Sequence, residues 1–156
     1  MDEIYDSITA AVLAAVNAFP GLADGERFAF ASLSEDGGLA VFPGTGEIVE
    51  SEQRFVTGKV RRVCRLPFSV AYRVGGAQER QRESAAAWLD GLGRWLEGQV
   101  VTIGGRDHCL AAYPALTDGR RLTDIRRSGP PRQADKPADR TQTWVMEMTA
   151  RYENIF

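Results

Sequence analysis

The chain has 156 residues, of which 44% are apolar and 26% charged, and its net charge is −2. This length and composition are typical of a soluble globular protein and predict a single domain over residues 1–156. No stretch approaches the roughly 20 apolar residues of a membrane span. The start, MDEIYDSI, lacks the basic region of a secretory signal. These features count against a membrane protein and favour a cytoplasmic one.

Residues 3–19 predict an amphipathic helix that ends at a Pro-Gly break. Residues 27–33 (RFAFASL) predict a short strand, and the GLAVF segment that follows predicts a second strand pairing back on it as a hairpin. Residues 47–56 predict an extended segment. The apolar residues at helical spacing in the first helix are Ile4, Ile8, Val12, Val16 and Phe19.

From Leu66 onward the sequence alternates between apolar and more polar residues, which predicts a strand that closes at Gly75-Gly76. Pro67 cannot donate a backbone hydrogen bond, so we expect it at a bulge, a strand start or a sheet edge. Residues 79–97 predict a second helix whose two tryptophans belong to the core. Gly91 and Gly93 weaken that helix, each by about 0.5–1 kcal/mol relative to alanine.

Residues 100–103 (VVTI) and 121–127 (RLTDIRR) predict two more strands. The segment 128–141 holds three prolines and no bulky apolar residue, so it predicts a long mobile hairpin loop. Alternating residues from 143 to 152 predict the last strand. Together these elements predict an α+β fold, with an antiparallel sheet of four or more strands packed against two main helices.

No catalytic or metal-binding constellation is apparent in the sequence. His108 is the single histidine, so a metal site has no imidazole pair, and its neighbour Cys109 points to the opposite face of any strand. Cys64 and Cys109 predict two reduced, packed thiols. No glycine-rich segment completes a phosphate loop. We therefore expect no cofactor and no enzyme activity.

Charge is unevenly distributed along the chain. Residues 1–53 carry ten acidic and one basic residue, residues 54–82 carry eight basic and one acidic residue, and the remainder is balanced. Five arginines and one lysine lie between residues 54 and 76. They could bind nucleic acid, pair with acidic residues of the same or a neighbouring subunit, or be solvated on a sheet face. The sequence pI of about 5.5 counts against a dedicated nucleic-acid-binding domain.

The order of elements resembles the tail terminator or minor capsid protein family of long-tailed (siphovirus-type) bacteriophages. The segments that carry the resemblance are the PFSVAYR strand before the helix AAAWLDGLGRWLEG, and the polar loop that runs into RTQTWVMEMTARYE. It implies a structural virion protein at the head-tail junction, assembled in the host cytoplasm. A hexameric ring would cap the tail tube and meet the head-completion or stopper protein, while DNA passes through its lumen without sequence-specific binding.

Within that resemblance, two groups of residues are candidate contacts with a neighbouring subunit or another virion protein. Replacing Arg61, Arg62 and Arg65 by glutamate is expected to weaken ring formation or tail joining without unfolding the subunit. The first group is Arg54, Lys59, Arg61, Arg62 and Arg65; the second, in the mobile loop, is Arg132, Asp135, Lys136, Asp139 and Arg140.

Two alternatives stay open. A head-side connector or stopper protein also forms rings, and binding to the tail-tube protein would distinguish it. A nucleic-acid-binding accessory domain would bind DNA in a salt-sensitive manner and form no ring.

Overall fold

The computed structural model describes residues 2–33, 37–44, 46–74, 79–116, 119–135 and 142–156. Within them lie two helices and nine strands. In chain order these are α1 (Asp2–Asn17), β1 (Phe28–Phe30), β2 (Gly38–Pro43), β3 (Ile48–Arg54), β4 (Val60–Val74), α2 (Glu79–Leu96), β5 (Val101–Ile103), β6 (Arg106–His108), β7 (Arg120–Arg127), β8 (Arg132–Asp135) and β9 (Gln142–Ile155).

Seven of these strands form one sheet in the order β1-β2-β4-β9-β7, with β3 on β4 and β8 on β9, and β5 and β6 form a separate hairpin. Every pairing is antiparallel except that of β1 with β2. The predicted hairpin between these two strands is therefore wrong. β1 is only three residues long, and the backbone leaves it at Ala31, whose φ is 52°. The seven residues between Phe30 and Gly38 return the chain to the start of β1, so β2 runs alongside β1 in the same direction.

The centre of the sheet is the long antiparallel pair β4–β9, which runs from Val74 opposite Gln142 to Arg61 opposite Ile155. Pro67 lies inside β4, but β2 ends opposite Phe68 and β3 begins opposite Arg65. Its carbonyl accepts a hydrogen bond from the Gly44 backbone at 2.9 Å, so its nitrogen faces the gap between β2 and β3. Pro67 thus occupies a local sheet edge, where no donor is needed.

Both helices pack on one face of the sheet, and the core lies between the layers. Cross-strand partners share a face, which places Leu66, Phe68 and Val70 of β4 together with Ala150, Met148 and Met146 of β9 under the helices. The apolar stripes predicted from helical spacing supply the other side, with Val12, Val16, Leu89, Leu92 and Leu96 almost fully buried. The predicted α+β class is confirmed.

Part of the predicted mobile loop is ordered. Arg132–Asp135 forms β8 and pairs with β9 between Thr143 and Val145. The prediction failed here because ladder hydrogen bonds come from the main chain and need no apolar side chain. Pro130 and Pro131 precede the strand, where their missing donors cost nothing. Residues 136–141 lie outside the described part of the chain.

Candidate subunit and partner contact surfaces

The turn between β3 and β4, residues 54–59, is an exposed tip that we call the β3–β4 tip. The Phe55 and Gly58 amides donate to the Lys59 and Phe55 carbonyls at 2.8 and 3.0 Å, and Gly58 has a φ of 91° that favours glycine. Phe55 and Val56 are exposed, and Val56 is fully so. Phe55 is 39% exposed, whereas Phe68 in the middle of β4 is buried under the helices. The tip therefore presents two apolar side chains between two cations.

Three of the five predicted contact residues are already paired inside the subunit. Arg61 binds Glu153 at 2.9 Å, Arg62 binds Glu52 at 2.7 Å, and Arg65 lies 3.9 Å from Glu50. The Arg62 guanidinium also stacks on the Phe156 ring, 5.0 Å from its centroid. Part of the charge segregation is thus satisfied within one chain.

The other two, Arg54 and Lys59, lie at the two ends of the β3–β4 tip. Neither forms an ion pair with any residue that the structure describes. The pKa of Glu52 is lowered chiefly by its hydrogen bond from Arg62, and the charge of Arg54 adds to that effect. These two cations remain available to a partner.

The face of the sheet away from the helices carries a charge network that joins four strands. Arg151 of β9 binds Glu50 of β3 at 3.0 Å and Asp124 of β7 at 3.4 Å, and Asp124 also binds Arg126 at 3.0 Å. The hydrogen bond from Arg151 lowers the pKa of Glu50. Glu153 joins Arg61 to Arg121, which lies 3.3 Å away. Alternating signs of this kind give fixed local pairing rather than a uniformly basic surface.

The second group of predicted contact residues is only partly described. Arg132 of β8 pairs with Glu147 of β9 at 3.2 Å, and both side chains are about half exposed. Asp135 ends β8. Lys136, Asp139 and Arg140 lie outside the described residues, so their role stays a prediction.

The outer edge of the sheet at β7 is covered by side chains. Along β7, the Ile125 amide donates to the Tyr113 hydroxyl at 3.2 Å, and that hydroxyl donates to the Leu96 carbonyl at 2.7 Å. The Arg127 amide donates to a Glu97 carboxylate oxygen at 2.9 Å. Side chains therefore occupy two outward-facing donors of β7, which counts against this edge adding another strand.

Arg127 also locks α2 to the sheet. Its guanidinium contacts Glu97 at 3.0 Å and pairs with Asp90. Burial raises the pKa of Glu97, but the hydrogen bonds and charge of Arg127 outweigh burial, and the net pKa is lowered. Gly93 makes room for this side chain, since a Cβ there would lie 2.8 Å from Arg127 Cγ and closer still to Cδ. The glycine that weakens the helix in isolation is thus required by its packing.

A groove of about 340 Å³ opens at the far end of the helix layer, between the loop that follows α1, the helix α2 and the β5–β6 hairpin. Trp88, predicted as core, is only partly buried and lies in its wall; its indole donates to the Gly21 carbonyl at 3.2 Å and packs edge-on against Phe19 and Tyr72. The lining is mainly apolar but includes one cation, Arg94, which pairs with Asp90 at 3.4 Å. The other main lining residues are Phe19, Ala87, Trp88, Val101, Thr102 and Ile103. The sequence did not reveal this groove. Its walls include the loop at Phe19 and the strand at Val101, which are about 80 positions apart, and each shows in the sequence only as a short apolar run.

The two cysteines and the single histidine lie apart from one another. Cys64 is buried and Cys109 exposed, so the prediction of two packed thiols is wrong for Cys109. Burial first, and the nearby Glu47 second, raise the pKa of Cys64 to about 11. Glu47 also accepts a hydrogen bond from the Tyr152 hydroxyl. His108 ends β6, opposite Val101.

The described residues hold no group of three or more histidine, cysteine or acidic side chains arranged to bind a metal ion. Neither helix in this part of the chain has the length and apolarity to cross a membrane.

Comparison with known proteins gives a structural likeness and no sequence match. No protein-family model matches the chain, and no curated protein matches it. One solved structure aligns over 97% of this chain and 98% of its own, with 18% identity and a TM-score of 0.59; it is a chain from the virion of a native gene transfer agent (GTA) particle. A second aligns over 97% of this chain with a TM-score of 0.36, which is too low to bear on the fold. At 18% identity, the likeness to the GTA virion chain is one of fold.

Proposed function

We propose that this protein is a structural component of a phage-like virion, and that it acts there as a tail terminator. In this role a ring of subunits, six by the family resemblance, caps the tail tube and contacts the head-completion or stopper protein. DNA passes through the lumen without sequence-specific binding. The observation that carries the proposal is the likeness of fold to a virion chain along nearly the whole length of both chains. The role requires no catalytic site and no cofactor.

The distribution of charge supports a contact role for the β3–β4 tip. Arg61, Arg62 and Arg65 have acidic partners in the same subunit, whereas Arg54 and Lys59 form no ion pair among the described residues. An exposed salt bridge contributes little to stability, roughly 0–1 kcal/mol. A cation that is free in the subunit can serve binding instead, by steering and orienting a partner.

The decisive experiment measures absolute mass by light scattering, for the purified protein alone and mixed with its tail-tube protein. We expect a ring in at least one sample and, by electron microscopy, density capping the ends of tubes. A ring that binds only the head-completion protein would favour the connector alternative. A 17.1 kDa monomer that binds neither would refute a role in tail termination.

Two sets of charge reversals separate folding from binding. Arg61, Arg62 and Arg65 changed together to glutamate place like charges beside Glu153, Glu52 and Glu50, so this variant should melt at a lower temperature. Arg54→Glu with Lys59→Glu should leave the melting temperature unchanged and weaken ring formation or tube capping. Normal assembly by the second variant would remove these two residues from the contact.

One observation favours a second candidate, a nucleic-acid-binding accessory domain. Phe55 is exposed on the same tip as Arg54 and Lys59, which is an arrangement that could stack on a base and neutralise phosphates. That function predicts DNA binding that weakens steeply with salt, loss of binding in Phe55→Ala, and no ring. The two functions are therefore separated by the same mass measurement with a DNA titration added.

A further inference from the structure

Two unlike apolar surfaces lie at opposite ends of the subunit. At one end the β3–β4 tip exposes Phe55 and Val56, beside the exposed C-terminal Phe156. At the other end lies the groove described above, with Val100 exposed at its margin. Monomeric proteins rarely leave such patches uncovered, and they commonly mark interaction sites.

The tip cannot reach the groove of its own subunit. The tip adjoins Val60 at the start of β4, whereas Trp88 in the groove wall packs on Tyr72 near the end of the same strand. At roughly 3.3 Å per residue, the strand from Val60 to Tyr72 spans about 40 Å. Any occupant of the groove that resembles the tip must come from another molecule.

The charge and size of the β3–β4 tip match those of the groove, so the tip of another copy is a suitable occupant. Arg54 and Lys59 at the ends of the tip form no ion pair among the described residues. Next to Gly21 in the groove wall, the loop after α1 carries Asp24 and Glu26, which likewise form none in the described part of the chain. The one cation in the groove wall, Arg94, is already paired with Asp90 at 3.4 Å. An apolar plug between two cations is thus matched by a mainly apolar groove whose adjoining loop carries two acids, and the groove volume suits one or two large side chains.

We propose that the β3–β4 tip of one copy inserts Phe55 and Val56 into the Phe19–Trp88–Val101–Ile103 groove of the next copy. Since donor and acceptor surfaces differ, the contact is head-to-tail, and repetition closes a ring or extends a filament. This contact rests on the proposed function for its ring, but as a self-association it is tested without the tail.

Site-directed cross-linking tests the contact directly. Exposed Cys109 is first replaced by serine, and Val56→Cys and Ala87→Cys are then made in separate proteins; Ala87 is an exposed lining residue of the groove. Mixed under mild oxidation, alone and with the tail-tube protein, the two single variants should form a disulfide-linked heterodimer. The protein that carries both changes should give a ladder of cross-linked species. Glu147→Cys, exposed on the helix-free sheet face, is the matched control and should not cross-link to Val56→Cys.

Each result decides a different point. Absence of the heterodimer in both samples, or equal cross-linking to the control, overturns the contact. Self-linking of Val56→Cys alone indicates a two-fold contact and also overturns it. A heterodimer with no tube binding preserves the contact and removes the tail-terminator function.

Two uncross-linked variants give an independent check. Val56→Asp changes a fully exposed side chain, and Gly91→Leu fills open space at the edge of the groove, where an added Cβ meets nothing within 4 Å. Both should melt no lower than the unmodified protein and should weaken self-association at least ten-fold. Unchanged association in both variants would refute the insertion.

Discussion

Gly91 and Gly93 lie two residues apart in α2 and should respond in opposite ways to the same substitution. Gly91→Ala adds a methyl group to open space and removes backbone freedom from the unfolded chain, so it should stabilise by about 0.5–1 kcal/mol. Gly93→Ala gains the same propensity but places its Cβ against Arg127 Cγ and Met146 Cε, at 2.8 and 3.0 Å. Arg127 must then move away from Glu97 and Asp90.

The cost of that movement decides whether Gly93→Ala stabilises or destabilises the protein. Hydrogen bonds to charged groups contribute roughly 1.5–3 kcal/mol when both partners are protected from solvent, and Arg127 and Glu97 are 23% and 17% exposed. After subtraction of the helix gain, Gly93→Ala should destabilise by about 1–2 kcal/mol. For a chain of this size each kcal/mol shifts the melting temperature by about 2–4 °C, so thermal melts at pH 7 should separate the two variants clearly.

A double mutant identifies the cause. In an Arg127→Ala background the clash is gone, so Gly93→Ala should become neutral or stabilising, as expected of coupled neighbours. If Gly93→Ala stabilises the unmodified protein as much as Gly91→Ala does, Arg127 can move without cost. Its bonds to Glu97 and Asp90 then contribute less to stability than argued above.

Three further outcomes are expected. The pKa of Glu97 is lowered in the folded state, so its contribution to stability is present above the usual carboxyl pKa of 4.5 and is lost as the pH falls through the folded pKa. In urea unfolding at pH 7 and pH 4, Glu97→Gln should lose less stability on acidification than the unmodified protein. An equal loss would contradict the pairing of Glu97 with Arg127. Tyr113→Phe should destabilise by about 1–3 kcal/mol because it leaves the buried donor of β7 unpaired, and hydrogen exchange should show faster exchange along that edge; unchanged exchange would mean that water replaces the hydroxyl. A thiol reagent at pH 8 should modify Cys109 in the folded protein and both cysteines in urea, because Cys64 is buried with a pKa raised to about 11; rapid reaction of two thiols in the folded state would contradict that burial.

The long periodic elements were predictable from the sequence because each carries its own signal. The apolar stripe of α2, the alternation after Leu66 and the alternation of β9 each repeat over many residues, and each folds as predicted. The direction of β1 relative to β2 was not predictable, because it depends on the path of the connection between them rather than on a periodic pattern. β8 was missed for a related reason: an edge strand held by main-chain bonds leaves little trace in composition.

The contact surfaces were harder to predict than the fold. The basic run from Arg54 to Arg65 was apparent in the sequence. The acidic partners of Arg61 and Arg65 lie on β9 and β3, so the sequence could not show which of these arginines are paired and which are free to bind. The exposure of Phe55 depends on where the helix layer ends. The groove forms because the turn after α2 brings Trp88 and Val101 together, and a periodic sequence pattern does not predict such a contact.

The central strand pair has a consequence for the timing of assembly. β4 is bonded along its length to β9, through residues such as Arg73 with Thr143 and Arg61 with Glu153, which are 70 and 92 positions apart in sequence. Contacts of such long range fold slowly, and β4 has an open side until its partner has been synthesised. During translation a nascent chain released early would lack the middle of its sheet and, with it, the support beneath both helices. A subunit truncated before β9 would therefore hold neither the β3–β4 tip nor the groove in place, and we expect such copies to be left out of any assembly that uses them.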